Sequence, residues 1–180
     1  PGMPLAEKAA LRTQEQRNSL RFFGLPGQCF TVLHLAMDEE DQPLQNSGNC
    51  DAITSFLEER QADLVFMPHG NDSNAGHRAM FALFGEAARR LSSPPLALLN
   101  RDPKTLDMRM DLYMPFGPEE AEWKAALLRR HDSQQQRNLN TRGHGFDARI
   151  LECNRSIARE LSLDAPYAEA FEVDARWTSE

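Results

Sequence analysis

The stretch Ala62-Asp63-Leu64-Val65-Phe66-Met67-Pro68-His69-Gly70-Asn71-Asp72-Ser73-Asn74-Ala75-Gly76-His77-Arg78 decides the fold. Leu64 to Met67 is an unbroken apolar run closed by a proline, which reads as a short buried strand. Pro68 to Gly76 is polar and offers nothing to a hydrophobic core. Beyond it Met80, Phe84, Ala87, Ala88 and Leu91 form a continuous apolar helical stripe. Upstream, Cys29 to Leu35 reads as another buried strand. Ile53, Phe56 and Leu57 share one face of a helix capped by Asn49 or Asp51. Strand, helix and strand within about 40 residues make a βαβ unit, which requires parallel pairing and a right-handed crossover.

The same alternation continues in both directions. Pro4 to Phe23 reads as a polar helix stopped by Gly24 and Pro26, and Asp38 to Gly48 as a solvated loop. Leu96 to Leu99 follows Ser92-Ser93-Pro94-Pro95 as a further strand, and Met108 to Phe116 partly alternates as another. Pro118 opens a helix with Glu119 and Glu120 at its positive end and Arg129-Arg130 at its negative end. Phe146, Ile150, Cys153, Ile157 and Leu161 mark a last long helix. The expected class is α/β, a single domain over residues 1–180 without internal repeats.

Composition narrows the function classes. The 180 residues carry 20 Lys+Arg against 27 Asp+Glu, a net charge of −7. Such a chain is a poor general binder of nucleic acid, whose phosphates demand a positive face. No apolar run approaches the ~20 residues of a membrane span. Cys29, Cys50 and Cys153 are odd in number and form no CxxC, which favours free thiols in a reducing compartment such as the cytoplasm. Homo-oligomerisation is compatible with the sequence. No GxGxxG or Walker pattern is present, although the glycines around His144 suggest a tight turn. Trp123 and Trp177 read as packing residues. Glu169 is placed either facing a site or pairing with Arg176.

In an open α/β sheet, sites form in loops at the carboxyl ends of strands. The loop after Met67 packs His69, Asn71, Asp72, Asn74, His77 and Arg78 into ten residues. Asn74 is the natural N-cap, which puts His77 in the first helical turn, where unpaired backbone N–H groups stabilise negative charge. Imidazole is also the commonest protein ligand for zinc. Helix capping alone accounts equally for several of these residues, and Asp72 fits either a local Asx turn or a role orienting His77.

Three blocks in order resemble the PIG-L/LmbE-like family of zinc-dependent deacetylases of N-acetylglucosaminyl and related N-acyl groups. The first is Ala62 to His69 with Gly76-His77-Arg78-Ala79. The second is Lys124 with Leu128 and His131-Asp132-Ser133-Gln134. The third is Tyr167-Ala168-Glu169-Ala170-Phe171. The resemblance implies a Rossmann-like three-layer domain with a mostly parallel sheet flanked by helices. It implies Zn2+ as cofactor, His77 as a metal ligand and a small-molecule amino-sugar conjugate as substrate, deacetylated by hydrolysis of a linear amide.

Asn74 stands where the family has a His that polarises the substrate, so His69 becomes the alternative imidazole for the oxyanion. Asn71, Asp72, Arg78 and His131 are candidates for substrate binding or for orienting His77. His131, at the end of the Pro118 helix, is equally a capping imidazolium favoured by the dipole. The family's His-Pro-Asp-Asp loop, which carries two further ligands and the general base, has no counterpart; His34-Leu35-Ala36-Met37-Asp38 lacks its spacing and its paired acids. On this reading the chain lacks its first strand and first metal loop, and the 180 residues alone bind zinc weakly and are inactive. The alternative is a catalytically inactive relative that binds carbohydrate or acts as a scaffold.

Overall fold

The computed structural model describes residues 3–176. The described chain divides into two compact units, one formed by residues 3–32 with 115–168 and the other by 33–114 with 169–176. The described helices are α1 (Leu5–Phe23), α2 (Ser47–Arg60), α3 (Ala75–Ala88), α4 (Pro118–Leu128), α5 (Asp132–Arg142) and α6 (Phe146–Glu160). The strands β1 (Leu64–Pro68), β2 (Leu96–Asn100), β3 (Leu112–Phe116) and β4 (Tyr167–Asp174) form a sheet in the order β1-β2-β4-β3.

The expected parallel sheet is corrected to a mixed one. β1 and β2 run parallel in the register Leu64–Leu96 to Pro68–Asn100, with α3 as the crossover between them. β2 and β4 are antiparallel, Ala97 facing Asp174 and Asn100 facing Phe171. The βαβ unit therefore exists, one element later than the sequence suggests. A strand at Cys29–Leu35 is absent: Gly27–Cys29 is a single 3-10 turn and the residues after it are irregular. A β-run persists only where a neighbouring chain takes its hydrogen bonds. No strand of the sheet pairs with residues 29–35 among the described residues, and just beyond them the N–H and C=O of Ala36 go to the Asn49 side chain, at 2.7 and 2.8 Å.

That assignment also moves the start of α2. Asn46, rather than Asn49 or Asp51, caps it by accepting the Asn49 N–H at 2.8 Å. Asn49 is 4% exposed and adds a third bond, to the Leu44 carbonyl at 2.7 Å. It thereby fastens residues 36–44 to the helix. In the hydrophobic core of this unit Cys50, Ile53 and Leu57 of α2 meet Leu83, Phe84, Ala87 and Ala88 of α3 over Met67, Ala97 and Leu99 of the strands. β1 is an edge strand, and Leu64 and Phe66 on it are exposed.

The other unit is built from α1, α4, α5 and α6. Gly24 ends α1 in the left-handed conformation at φ 88°, as a glycine C-cap does. Ala121, Ala125, Ile157 and Ala158 form its apolar contacts. Glu15, 4% exposed, accepts the Ser133 N–H at 2.6 Å and the Ser133 hydroxyl at 2.8 Å. Lys124 donates to Asn154 at 2.9 Å, and Asn154 donates to the Ala168 carbonyl at 3.0 Å. Trp123 packs against Phe22 and Phe23 at centroid distances of 5.9 and 5.4 Å, as a packing residue should. Trp177 lies outside the described residues. The helix α5 was not expected from its polar sequence; its Asn138 is buried and donates back to the Gln134 carbonyl.

Asn49→Ala should lower stability by about 2 kcal/mol, since it strips three hydrogen bonds from one buried amide. Urea unfolding measures the loss, and faster amide exchange at Ala36 locates it.

Candidate functional site

The site grows from the carboxyl end of β1, where the backbone leaves the sheet and must be turned into α3. Asn74 makes the turn: its side chain accepts the Gly76 N–H at 3.1 Å as the helix N-cap. Asp72 supports the same turn from below. It is among the most buried side chains in the chain, and its Oδ1 accepts the Asn74 N–H at 2.5 Å. Its other oxygen, Oδ2, lies 2.8 Å from Nδ1 of His77. The Asx turn and the orienting role, alternatives in the sequence, are thus performed by the two oxygens of one carboxylate. Arg78 donates from NH1 to the Asp72 backbone carbonyl at 2.7 Å, which makes it a brace for the loop.

A second loop, following β2, closes over the first. Ser73 N–H donates to the Lys104 carbonyl at 2.9 Å, Leu106 N–H to the Asn71 carbonyl at 3.0 Å, and Asn71 Nδ2 to the Asp107 carbonyl at 3.0 Å. This lacing delivers Asp102, whose Oδ2 is 3.4 Å from His77 Nδ1. Asp72, His77 and Asp102 therefore place their ligand atoms within 4.8 Å of one another, and they are the group of that kind among the described residues. Asp102 was not singled out from the sequence. The signal available was its place, two residues past the end of the strand that pairs with β1.

His69 and Asn71 line a separate feature, a cavity of about 610 Å3 bounded also by Phe81, Arg109, Glu172 and Arg176. Its floor needs a glycine: a Cβ on Gly70 would stand 2.4 Å from the Phe81 ring. His69 Nδ1 accepts the Asn71 N–H at 2.9 Å, which leaves the ring proton on Nε2, 3.3 Å from Glu172 Oε2. Both nitrogens are committed, so His69 is held as a wall of the cavity by groups of this chain. Glu172 also receives the Arg109 N–H at 2.9 Å, and it is the second residue that sequence reasoning missed. Arg176 pairs with Asp174. Burial pushes the Asp174 carboxyl up, but the Arg176 guanidinium and N–H outweigh it and hold it below its ordinary value.

His131 belongs to the other unit. It is the residue before α5, three residues past the end of α4, and its N–H donates to the Leu128 carbonyl at 3.0 Å. An imidazolium at a helix N-terminus meets the wrong end of the dipole. Burial, with Arg12 adding to it and Glu15 opposing, depresses the His131 pKa below its ordinary value. The favoured-imidazolium reading is corrected accordingly. His144 is exposed, after Gly143 at φ 74°.

Chemically, the Asp72–His77 pair fits a divalent metal. An imidazole whose Nδ1–H is held by a carboxylate keeps its Nε2 lone pair available, in the arrangement that zinc-binding histidines adopt. No protein-family model matches the sequence, and no curated protein matches it either. Solved structures do. An N,N'-diacetylchitobiose deacetylase from Pyrococcus horikoshii superposes with a TM-score of 0.70 at 18% identity, over 92% of this chain and 64% of that one. A 4-carboxy-2-hydroxymuconate hydratase from Pseudomonas putida KT2440 gives 0.69 at 14% identity, over 99% and 77%. A teicoplanin deacetylase in its zinc-inhibited form gives 0.56 at 16% identity, over 92% and 74%. The chain has their fold. Identity at this level carries the fold alone, and the chain spans less than two thirds of the length of the chitobiose deacetylase.

A His group with a depressed folded pKa favours the unfolded state once pH falls below the ordinary value near 6.5, because the unfolded chain then binds more protons. Stability should therefore decline from about pH 6.5 downward, and His131→Gln should flatten part of that decline. Urea midpoints of both proteins between pH 7.5 and 5 test the difference.

Proposed function

We propose that this chain carries a metal-dependent hydrolase site of the N-deacetylase kind, acting on the amide of an amino-sugar conjugate. The observation that carries the reading is the pair of Asp72, without solvent exposure, and His77 at the first turn of α3. A fully buried carboxylate held 2.8 Å from an imidazole on a polar loop is costly to maintain and fixes one ring orientation. Support comes from the fold shared with two deacetylases and from the three sequence blocks that resemble the PIG-L/LmbE-like family.

His77 would hold the metal through Nε2, and Zn2+ suits an imidazole and carboxylate donor set. A zinc ion bound there supplies Lewis acidity toward an acyl oxygen and lowers the pKa of water. The chain's own residues do the rest. Asp72 holds the proton on Nδ1 and keeps the ring from rotating. Asn74 is bound through its oxygen to the Gly76 N–H, so its Nδ2 is the group that can donate to an acyl oxygen. The amide does not change charge, and a general-acid step at this position is excluded. The cavity beside His69 and Asn71, with Phe81 and two guanidinium–carboxylate pairs, offers the donors and acceptors a polyhydroxylated conjugate needs. Residues of this loop supply one outward imidazole, so zinc binding by the 180 residues is expected to be weak.

A second reading follows from the hydratase neighbour: water added to an unsaturated carboxylic acid, with the arginines of the cavity facing the carboxylate. One set of assays separates the two. The protein is expected to release acetate from N-acetylglucosaminyl conjugates, to lose this with chelator and regain it with zinc. His77→Ala should lower the rate at least ~100-fold. Undiminished acetate release in that variant overturns the ligand assignment. Loss of absorbance from an unsaturated acid, without acetate release, establishes the second reading instead.

A further inference from the structure

We infer that Asp102 is a positioning residue for His77, the second carboxylate of a clamp that holds the proton on Nδ1 and leaves Nε2 as the donor. The inference rests on the reading of His77 as a metal ligand. Its basis is the direction from which the two carboxylates approach. Asp72 Oδ2 at 2.8 Å and Asp102 Oδ2 at 3.4 Å both address Nδ1, and neither addresses Nε2. A proton on Nδ1 is hydrogen-bonded to one carboxylate and lies beside a second at 3.4 Å, so moving it to Nε2 would turn a lone pair toward two anions.

Asp102 is itself anchored for this purpose. Its Oδ1 accepts the Lys104 N–H at 2.6 Å and the Thr105 N–H at 3.2 Å, and its own N–H donates to Thr105 Oγ1 at 3.1 Å. Thr105 in turn bridges to Asp72 through the backbone. The carboxylate can therefore turn neither oxygen away from His77 without breaking its own loop. The two acids come from loops after adjacent parallel strands, so the clamp exists only when β1 and β2 are in register. Asp72 sets the preference for the Nδ1–H tautomer, and Asp102 secures it with a second negative charge, which also raises the electron density of the ring and so its strength as a ligand.

Asp102→Asn tests this with little disturbance of the loop. The amide oxygen can take over the bonds from Lys104 and Thr105, which turns the NH2 toward His77 Nδ1. A donor now faces a donor, and the Nε2–H tautomer gains ground. Ring 15N shifts of His77 in the metal-free 180-residue chain should show Nδ1–H in the parent and a mixture in Asp102→Asn. Zinc affinity, measured by competition with a chromogenic chelator, should fall about tenfold or more. A folded Asp102→Asn with unchanged His77 shifts overturns the inference, as does an altered tautomer with undiminished zinc affinity. If His77→Ala abolishes zinc binding while Asp102→Asn leaves it intact, the metal-ligand reading stands and the clamp falls. If the parent binds no zinc but the tautomer shifts in Asp102→Asn, the clamp stands and the metal-ligand reading falls. Should Asp102→Asn fail to fold, Asp102→Glu, which keeps the charge, should retain the parent tautomer; an Nε2–H ring in that variant overturns the inference.

Discussion

The carboxylate of Asp72 is the constraint around which the site is organised. A carboxylate without solvent contact must have its charge met by donors, or it destabilises the fold by several kcal/mol. The chain meets it with the Asn74 N–H on one oxygen and the His77 ring on the other, while Arg78 holds the backbone carbonyl of the same residue. Each of these donors lies within six residues of Asp72, so the loop satisfies its own acid. The consequence is a single permitted geometry for the β1–α3 connection. His77 inherits its orientation from that geometry, and the N-cap at Asn74 inherits its position.

The loop after β2 extends the same logic. Its backbone exchanges hydrogen bonds with Asn71 and Ser73, and its Asp102 brings a second negative charge to the same ring nitrogen. The cavity beside it is walled by groups that are equally committed: His69 between a backbone N–H and Glu172, Glu172 against Arg109, and Arg176 against Asp174. A surface built of paired charges is stiff, and it presents fixed donors and acceptors. Such a wall suits recognition of hydroxyl groups better than capture of an ion.

Much of this was legible beforehand, and the reason differs from element to element. β1 and β2 are visible as short apolar runs, β3 by partial alternation, α3 and α6 by apolar residues at helical spacing and α4 by its proline, acidic start and basic end, whereas β4 is visible only through the family resemblance. The loop from His69 to Arg78 is visible because its composition has no use in a core. The strand expected at Cys29–Leu35 is a false signal of the same kind: the apolar run is real, but no strand of the sheet pairs with it among the described residues. The helix α5 was hidden because its sequence is polar on nearly every face. The block resembling Lys124 and Ser133 was read for its chemistry, whereas the structure gives Ser133 to Glu15 and Lys124 to Asn154.

The local chemistry belonged to the sequence alone. Asn74 as N-cap, His77 in the first turn and Asp72 within reach of both follow from spacing of two to five residues, a range over which the backbone leaves little freedom. What depended on tertiary structure was every partner that arrives from far along the chain. Asp102 reaches His77 because β2 pairs in parallel with β1, and Glu172 reaches His69 because β4 lies antiparallel beside β2. The direction of a strand and the identity of its neighbour are set by the packing of whole faces. No window of the sequence contains them, and so the mixed sheet and the second carboxylate came only with the fold.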